Sequence, residues 1–253
     1  MTETVDLAIS EGIAHLALNR PEAANAFDLP TATAFAAAVD QIAESSDVRA
    51  VLLSGAGRRF CAGGDVASFH AADDPQAYIR ELADVLDGAM QRFAALPVAT
   101  VVAVQGAAAG AGLSVMLGAD VIVAGRSTKF VTAYAGIGLT PDIGLSWLLP
   151  RAVGQVRALD LLLTGRVLDG PTALDWGLVT ELVDDEPLAR AREIAARIAA
   201  GPAEALGEAR RLVRTAWSVS RSEAGDEEGR TIAERVGTEE AQGLIRAFVE
   251  PRG

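Results

Sequence analysis

The chain has 253 residues, enough for one large domain or a domain with an appendage. Half of them are hydrophobic and only 5% aromatic, so its core is built mostly from Ala, Val, Leu and Ile. A net charge of −12 argues against nucleic acid or an anionic membrane surface as a broad-face partner. Lys129 is the single lysine among 22 basic residues, so any phosphate contact falls to arginine or to backbone N–H groups. Cys61 stands alone and allows no intramolecular disulfide. The acidic start, Met1-Thr2-Glu3-Thr4, lacks the basic segment and apolar core of a signal peptide. The apolar run 98–123 is broken by Gln105, several glycines and Asp120. A cytoplasmic protein with no membrane span is expected.

In chain order, the first half predicts short strands alternating with helices. Residues 5–9 and 13–18 read as strands around a Glu11-Gly12 turn, and 31–42 as a helix with Pro30 near its start. Residues 50–54 form an apolar run closed by Gly55-Ala56-Gly57, which reads as a buried strand. An amphipathic helix over 75–93 is followed by buried strands over 99–104 and 119–123. Helices are expected over 143–149, 155–163, 186–199 and 203–217, and a last pair over 222–236 and 239–248. The polar stretch 218–229 predicts a hinge. Strands with crossover helices, then helices alone, imply an α/β fold with a helical extension: a core over 1–200 and a C-terminal region over 201–253.

Two small-residue segments carry the chemistry. In Arg58-Arg59-Phe60-Cys61-Ala62-Gly63-Gly64-Asp65 a strand gives way to glycines and then a helix, so a ligand could approach the backbone closely. An ordinary loop with Asp65 as a helix cap fits equally well. Gln105 to Ser114, with Gly106, Gly110 and Gly112, repeats the pattern; alone it reads as close helix packing. Asp142 follows Pro141 before a helical stretch, where it could cap the helix or act as an acid or base. His15 lies in a strand-like run and His70 on a helix face. They are too far apart for a metal site or for a triad with Cys61 or Ser114.

Taken with Leu18-Asn19-Arg20-Pro21-Glu22-Ala23-Ala24-Asn25-Ala26-Phe27, these segments, in this order and spacing, resemble the enoyl-CoA hydratase/isomerase (crotonase) family, from about Ala14 to Phe248. The resemblance implies a spiral of ββα turns with C-terminal helices that assemble a homotrimer or a dimer of trimers. It implies an acyl-CoA substrate, with coenzyme A entering as part of that substrate and no separate cofactor or metal. It also implies an oxyanion hole formed by the backbone N–H groups of Ala62 and Ala111. Ala62, Gly63, Gly64 and Asp65 would line the CoA site, with Ala23 and Ala24 on the adenine side. A basic tail that often contacts phosphate in the family is represented only by Arg252.

The chain departs from the family's hydratases where their two glutamates stand. Matching by motif puts Ser114 and Tyr134 there, and neither is a carboxylate. Water addition needs a base for the water and an acid for the adjacent carbon, whereas a double-bond shift needs one carboxylate. The run 139–151 resembles the family's isomerases, including ring-epoxide isomerase-like members, which implies Asp142 as proton shuttle. Two alternatives stay open. One is a hydratase, or another CoA-thioester enzyme, that borrows a carboxylate such as Glu81 or Asp84. The other is an acyl-CoA-binding protein with little catalysis.

Overall fold

The computed structural model describes residues 4–184 and 186–250, so the acidic start before Thr4 and the basic end at Arg252 lie outside the described residues. β1 (Val5–Ser10) and β2 (Ile13–Leu18) form the expected hairpin, with Glu11 and Gly12 both at positive φ. Four parallel strands extend β2: β3 (Ala50–Gly55), β4 (Ala99–Val104), β6 (Val121–Gly125) and β9 (Glu181–Val183). The sheet order is β1-β2-β3-β4-β6-β9.

The apolar runs in β3 and β4 are continuous because both faces of the sheet are covered. Val51, Leu53, Val102 and Val104 enter the larger core, beneath α1 (Leu29–Glu44), α3 (Pro75–Ala95) and α4 (Ala111–Leu117). Ala50, Leu52, Val101 and Ala103 face Ala191, Ile194 and Ala195 of α8 (Pro187–Ala199). Pro30 and Pro75 sit in first helical turns, behind the caps Asp28 and Asp74, whose carboxylates accept from the N–H of Thr31 and Ala77.

A second sheet makes the spiral. β5 (Ala107–Ala109) pairs in parallel with β7 (Lys129–Val131), and β7 pairs with β8 (Leu168–Asp169). Parallel bridges Phe27↔Gly64 and Cys61↔Ala108 carry this layer outward, so 24–27, 61–65 and 107–109 run side by side. Segments about forty residues apart in sequence thus become neighbours.

α5 (Leu145–Val153), α6 (Gln155–Thr164) and α7 (Gly170–Asp175) precede α8, and α9 (Ala203–Thr215), α10 (Arg221–Val236) and α11 (Glu239–Val249) close the chain. The expected hinge over 218–229 is not found. A capping box between Ser220 and Glu223 starts α10 at Arg221, so most of the polar stretch is its first turns. α9 is fastened to the core by Arg210 and Arg214. Both bond Asp120, and they also reach the carbonyls that end α3 and α4. Among the described residues, no helix is long and apolar enough to cross a membrane.

Candidate active site

The segment before the site is locked by Asn25. This fully buried residue has φ +56, and its amide donates to the carbonyls of Ala56, Arg59 and Phe60 while its oxygen accepts from Arg20 N–H. Arg20 in turn pairs with Asp28 at 3.2 Å and with Asp65 at 2.8 Å. Neither Arg20 nor Asn25 is singled out by the sequence for this task, although both lie in the motif that carries the resemblance. Asp65 behaves as the cap: its carboxylate accepts from Ala67 and Ser68 N–H at the start of α2 (Val66–His70). Partial burial would raise its carboxyl, but Arg20 and the Ser68 N–H outweigh this and hold it below the ordinary range.

The two glycine segments meet face to face. A methyl group on Gly63 (φ +102) would come within 2.9 Å of the Ala109 carbonyl and 3.3 Å of the Ala111 nitrogen. One on Gly110 (φ +52) would lie 3.7 Å from the Gly63 Cα and 3.9 Å from the Tyr134 Cζ. At Gly63 glycine alone gives both the positive φ and the close approach, and at Gly110 the positive φ favours it.

The direction of the amides corrects one expectation. The Ala62 N–H donates to the Ala24 carbonyl at 3.0 Å, so Ala62 is not free to hold a ligand oxygen. The Phe27↔Gly64 bridge uses the Gly63 carbonyl and the Asp65 N–H, so the amide of Gly64 itself points away from Phe27, toward β5. The amide of this segment that faces away from the 24–27 strand is therefore that of Gly64, not that of Ala62. Ala111 is the first residue of α4, where an N–H has no partner within the helix. Ala23 and Ala24 lie half-buried at the mouth of this segment.

Asp142 is not the helix cap. α5 begins at Leu145 behind Gly144, with no side-chain cap bond. The Asp142 carboxylate instead accepts the Tyr134 hydroxyl at 2.7 Å, and its main-chain carbonyl accepts from the Ser114 hydroxyl at 3.3 Å. Burial raises the Asp142 carboxyl above its usual range. The Tyr134 bond opposes that rise, and the charge of Asp87 on α3 adds to it. The Tyr134 phenol is pushed up in its turn by burial and by the adjacent carboxylate. Ile143 follows at φ +49, an uncommon angle for a β-branched residue and a mark of a strained segment.

The structure does not bring Glu81 and Asp84 to this place. Both are exposed on α3, with Asp84 paired to Arg80 at 2.7 Å, whereas the buried face of that helix is Leu82, Leu86, Ala89, Met90 and Phe93. Asp87, one turn on, is the α3 carboxylate that bears on Asp142. It lines an open groove of about 1090 Å³ together with Ile143, Gly144 and Trp147. Cys61 is fully buried and donates to the Asn25 carbonyl, and burial pushes its thiol up to about 12, which leaves it inert as a nucleophile. His15 bonds Ser54 at 2.8 Å, and His70 is exposed at the end of α2.

A spiral of ββα turns, with a glycine turn beside a half-buried acid, defines a protein with an enzyme's site. The sequence matches the enoyl-CoA hydratase/isomerase family over residues 8–253, and the chain belongs to that family. It is 38% identical to the 1,2-epoxyphenylacetyl-CoA isomerase of Escherichia coli K12, over 85% of this chain and 84% of that protein. It is 36% identical to a probable enoyl-CoA hydratase of Rhodobacter capsulatus, over 85% and 82%. The crystal structure of a candidate enoyl-CoA hydratase/isomerase of Mycobacterium abscessus superimposes with a TM-score of 0.93 at 36% identity, covering 97% of this chain and 96% of that one.

Proposed function

We propose that the protein is an isomerase of unsaturated acyl-CoA thioesters. Asp142 removes a proton from the carbon next to the thioester and returns it two carbons away. The N–H groups of Gly64 and Ala111 hold the thioester oxygen while it carries the enolate charge. Each such donor supplies roughly 3–4 kcal/mol of transition-state stabilisation. Coenzyme A belongs to the substrate in this reading, and no separate cofactor takes part.

The observation that carries the proposal is the setting of Asp142. Its carboxylate caps no helix, it is half-buried with a raised affinity for protons, and its contacts are to Ser114 and Tyr134. Those are the two positions where a hydratase would carry acids. A base poised nearer neutrality suits proton transfer at carbon. The isomerase among the relatives supports this reading, while relatives carry both isomerase and hydratase names.

The experiment is proton NMR of a 3-enoyl-CoA incubated with the protein in deuterated water. Migration of the double bond into conjugation, with or without label at the second or fourth carbon, is the expected result. With a 2-enoyl-CoA in the same assay, fast formation of the 3-hydroxyacyl product, and no migration with the 3-enoyl-CoA, would replace the isomerase by a hydratase.

The C-terminal helices suit an assembly, and we place a homotrimer or dimer of trimers there. α11 buries none of its residues, and leaves Leu244, Ile245, Phe248 and Val249 exposed. A cytoplasmic setting fits the single thiol of Cys61.

A further inference from the structure

We infer that Tyr134 is a positioning residue for the shuttle: its hydroxyl pins one oxygen of the Asp142 carboxylate, so that a proton leaves and returns through the other oxygen alone. This rests on the isomerase reading above and adds a residue and a stereochemical constraint to it.

Three separate elements fix the acid. The Tyr134 hydroxyl reaches Oδ1 from the loop after β7, at 2.7 Å. The Ser114 hydroxyl, fully buried on α4, reaches the Asp142 carbonyl at 3.3 Å. Ile143, buried and at φ +49, holds the main chain on the other side. The Tyr134 ring is itself packed against the main hydrophobic core. A carboxylate held only by water can turn about its Cβ–Cγ bond and present either oxygen. With Oδ1 already accepting an O–H, its basicity is lowered, so the unengaged Oδ2 is the more basic oxygen and takes the proton.

The step balances without a co-reactant. The C2–H bond breaks, the proton bonds to Oδ2, and the electron pair moves to the thioester oxygen as the dienolate forms. The Oδ2–H bond then breaks, C4–H forms, and the pair returns through the conjugated system. Tyr134 keeps its proton throughout, since burial and the neighbouring carboxylate both disfavour the phenolate. Its bond favours ionised Asp142, against burial and against Asp87, the other charged group that bears on this acid. One fixed oxygen serves one face of the dienolate, so the proton removed is the one returned.

The test uses a 3-enoyl-CoA carrying deuterium at both C2 positions, in ordinary water, with wild type and Tyr134→Phe. Wild type should carry deuterium to C4. The variant should keep KM within about twofold, lose about tenfold in kcat, carry at least about threefold less label, and show its acid limb at higher pH. A merely structural tyrosine would not move the label or the limb. If wild type isomerises but washes out all label, or if the variant matches wild type in label and limb, the inference is overturned. If wild type forms no conjugated product at all, the isomerase reading itself has failed, which is a separate result. Should the Phe variant not fold, 3-fluorotyrosine at position 134 keeps ring and hydroxyl and strengthens the donor. The acid limb should then move to lower pH, and an unmoved limb overturns the inference.

Discussion

Replacing Asp142 by Asn should abolish catalysis while making the fold more stable. The carboxamide has the shape of the carboxylate, its oxygen can still accept the Tyr134 hydroxyl, and the main-chain bond from Ser114 is untouched. What disappears is the base. Loss of a positioned general base costs about 10²–10⁴ in rate, or roughly 3–5 kcal/mol of barrier, while affinity for the CoA moiety should barely change. Stability should move the other way. Burial and Asp87 raise the folded carboxyl above its unfolded value, so at neutral pH the ionised form costs the folded state free energy. A neutral Asn removes that cost. The gain should be full at neutral pH, fade as pH falls through the raised folded value, and be gone below the ordinary carboxylate value of about 3.9, where wild-type Asp142 is protonated in both states. Steady-state kinetics with a 3-enoyl-CoA and urea midpoints at several pH values read both effects. A variant that isomerises at near wild-type rate, or that is less stable at neutral pH, would refute the reasoning.

Three further outcomes follow from the packing. Asp120→Ala strips the partner from Arg210 and Arg214, whose side chains are 7% and 26% exposed, and should cost up to about 3–5 kcal/mol by urea titration. Burial would raise the Asp120 carboxyl, but the two arginines hold it low. Its contribution is therefore present above the ordinary carboxylate range and lost as pH falls through the depressed folded value, a slope that Asp120→Asn should flatten. Asn25→Ala leaves three carbonyls and the Arg20 N–H without their partner and should destabilise by roughly 3–5 kcal/mol, with weakened CoA binding in calorimetry. Sedimentation at micromolar concentration should give the mass of three or six chains, and Leu244→Glu with Phe248→Glu should lower it.

The sequence made the layout legible where a single physical rule governs. Apolar runs such as 50–54 and 99–104 need cover on both faces, and the structure supplies it with α8 on one side and α1, α3 and α4 on the other. Helical spacing, with Pro30 accepted near the first start, placed the starts of α1 and α3 within two residues. The strand expected over 119–123 begins at Val121, because Asp120 is drawn aside to bond Thr100 and the two arginines. The helix expected from 143 begins at Leu145, because the positive φ angles at Ile143 and Gly144 interrupt it. The amide expected to be free at Ala62 is instead engaged, for a related reason. Which amides of 61–65 face a ligand depends on the strands that flank them, and the Ala24 carbonyl and the Phe27 bridge come from far away in sequence.

Ser114 and Tyr134 show how an apparent loss can be a gain of another kind. Read along the chain, they are two places where a carboxylate is missing, and the inference drawn from them is negative. In the fold they are the two side chains that hold Asp142, one by its main chain and one by its acid group. That contact depends on the path between positions 133 and 143, which turns through positive φ at Ala133, Gly138 and Ile143 and has no periodic signal. Glutamates at 114 and 134 would place two more negative charges against Asp142 and Asp87, and several acids so close cannot all ionise. A site with one shuttle therefore benefits from neutral hydroxyls at these positions. They orient the acid by donating to it, and the Tyr134 bond tempers the rise in proton affinity that burial and the carboxylate of Asp87 impose.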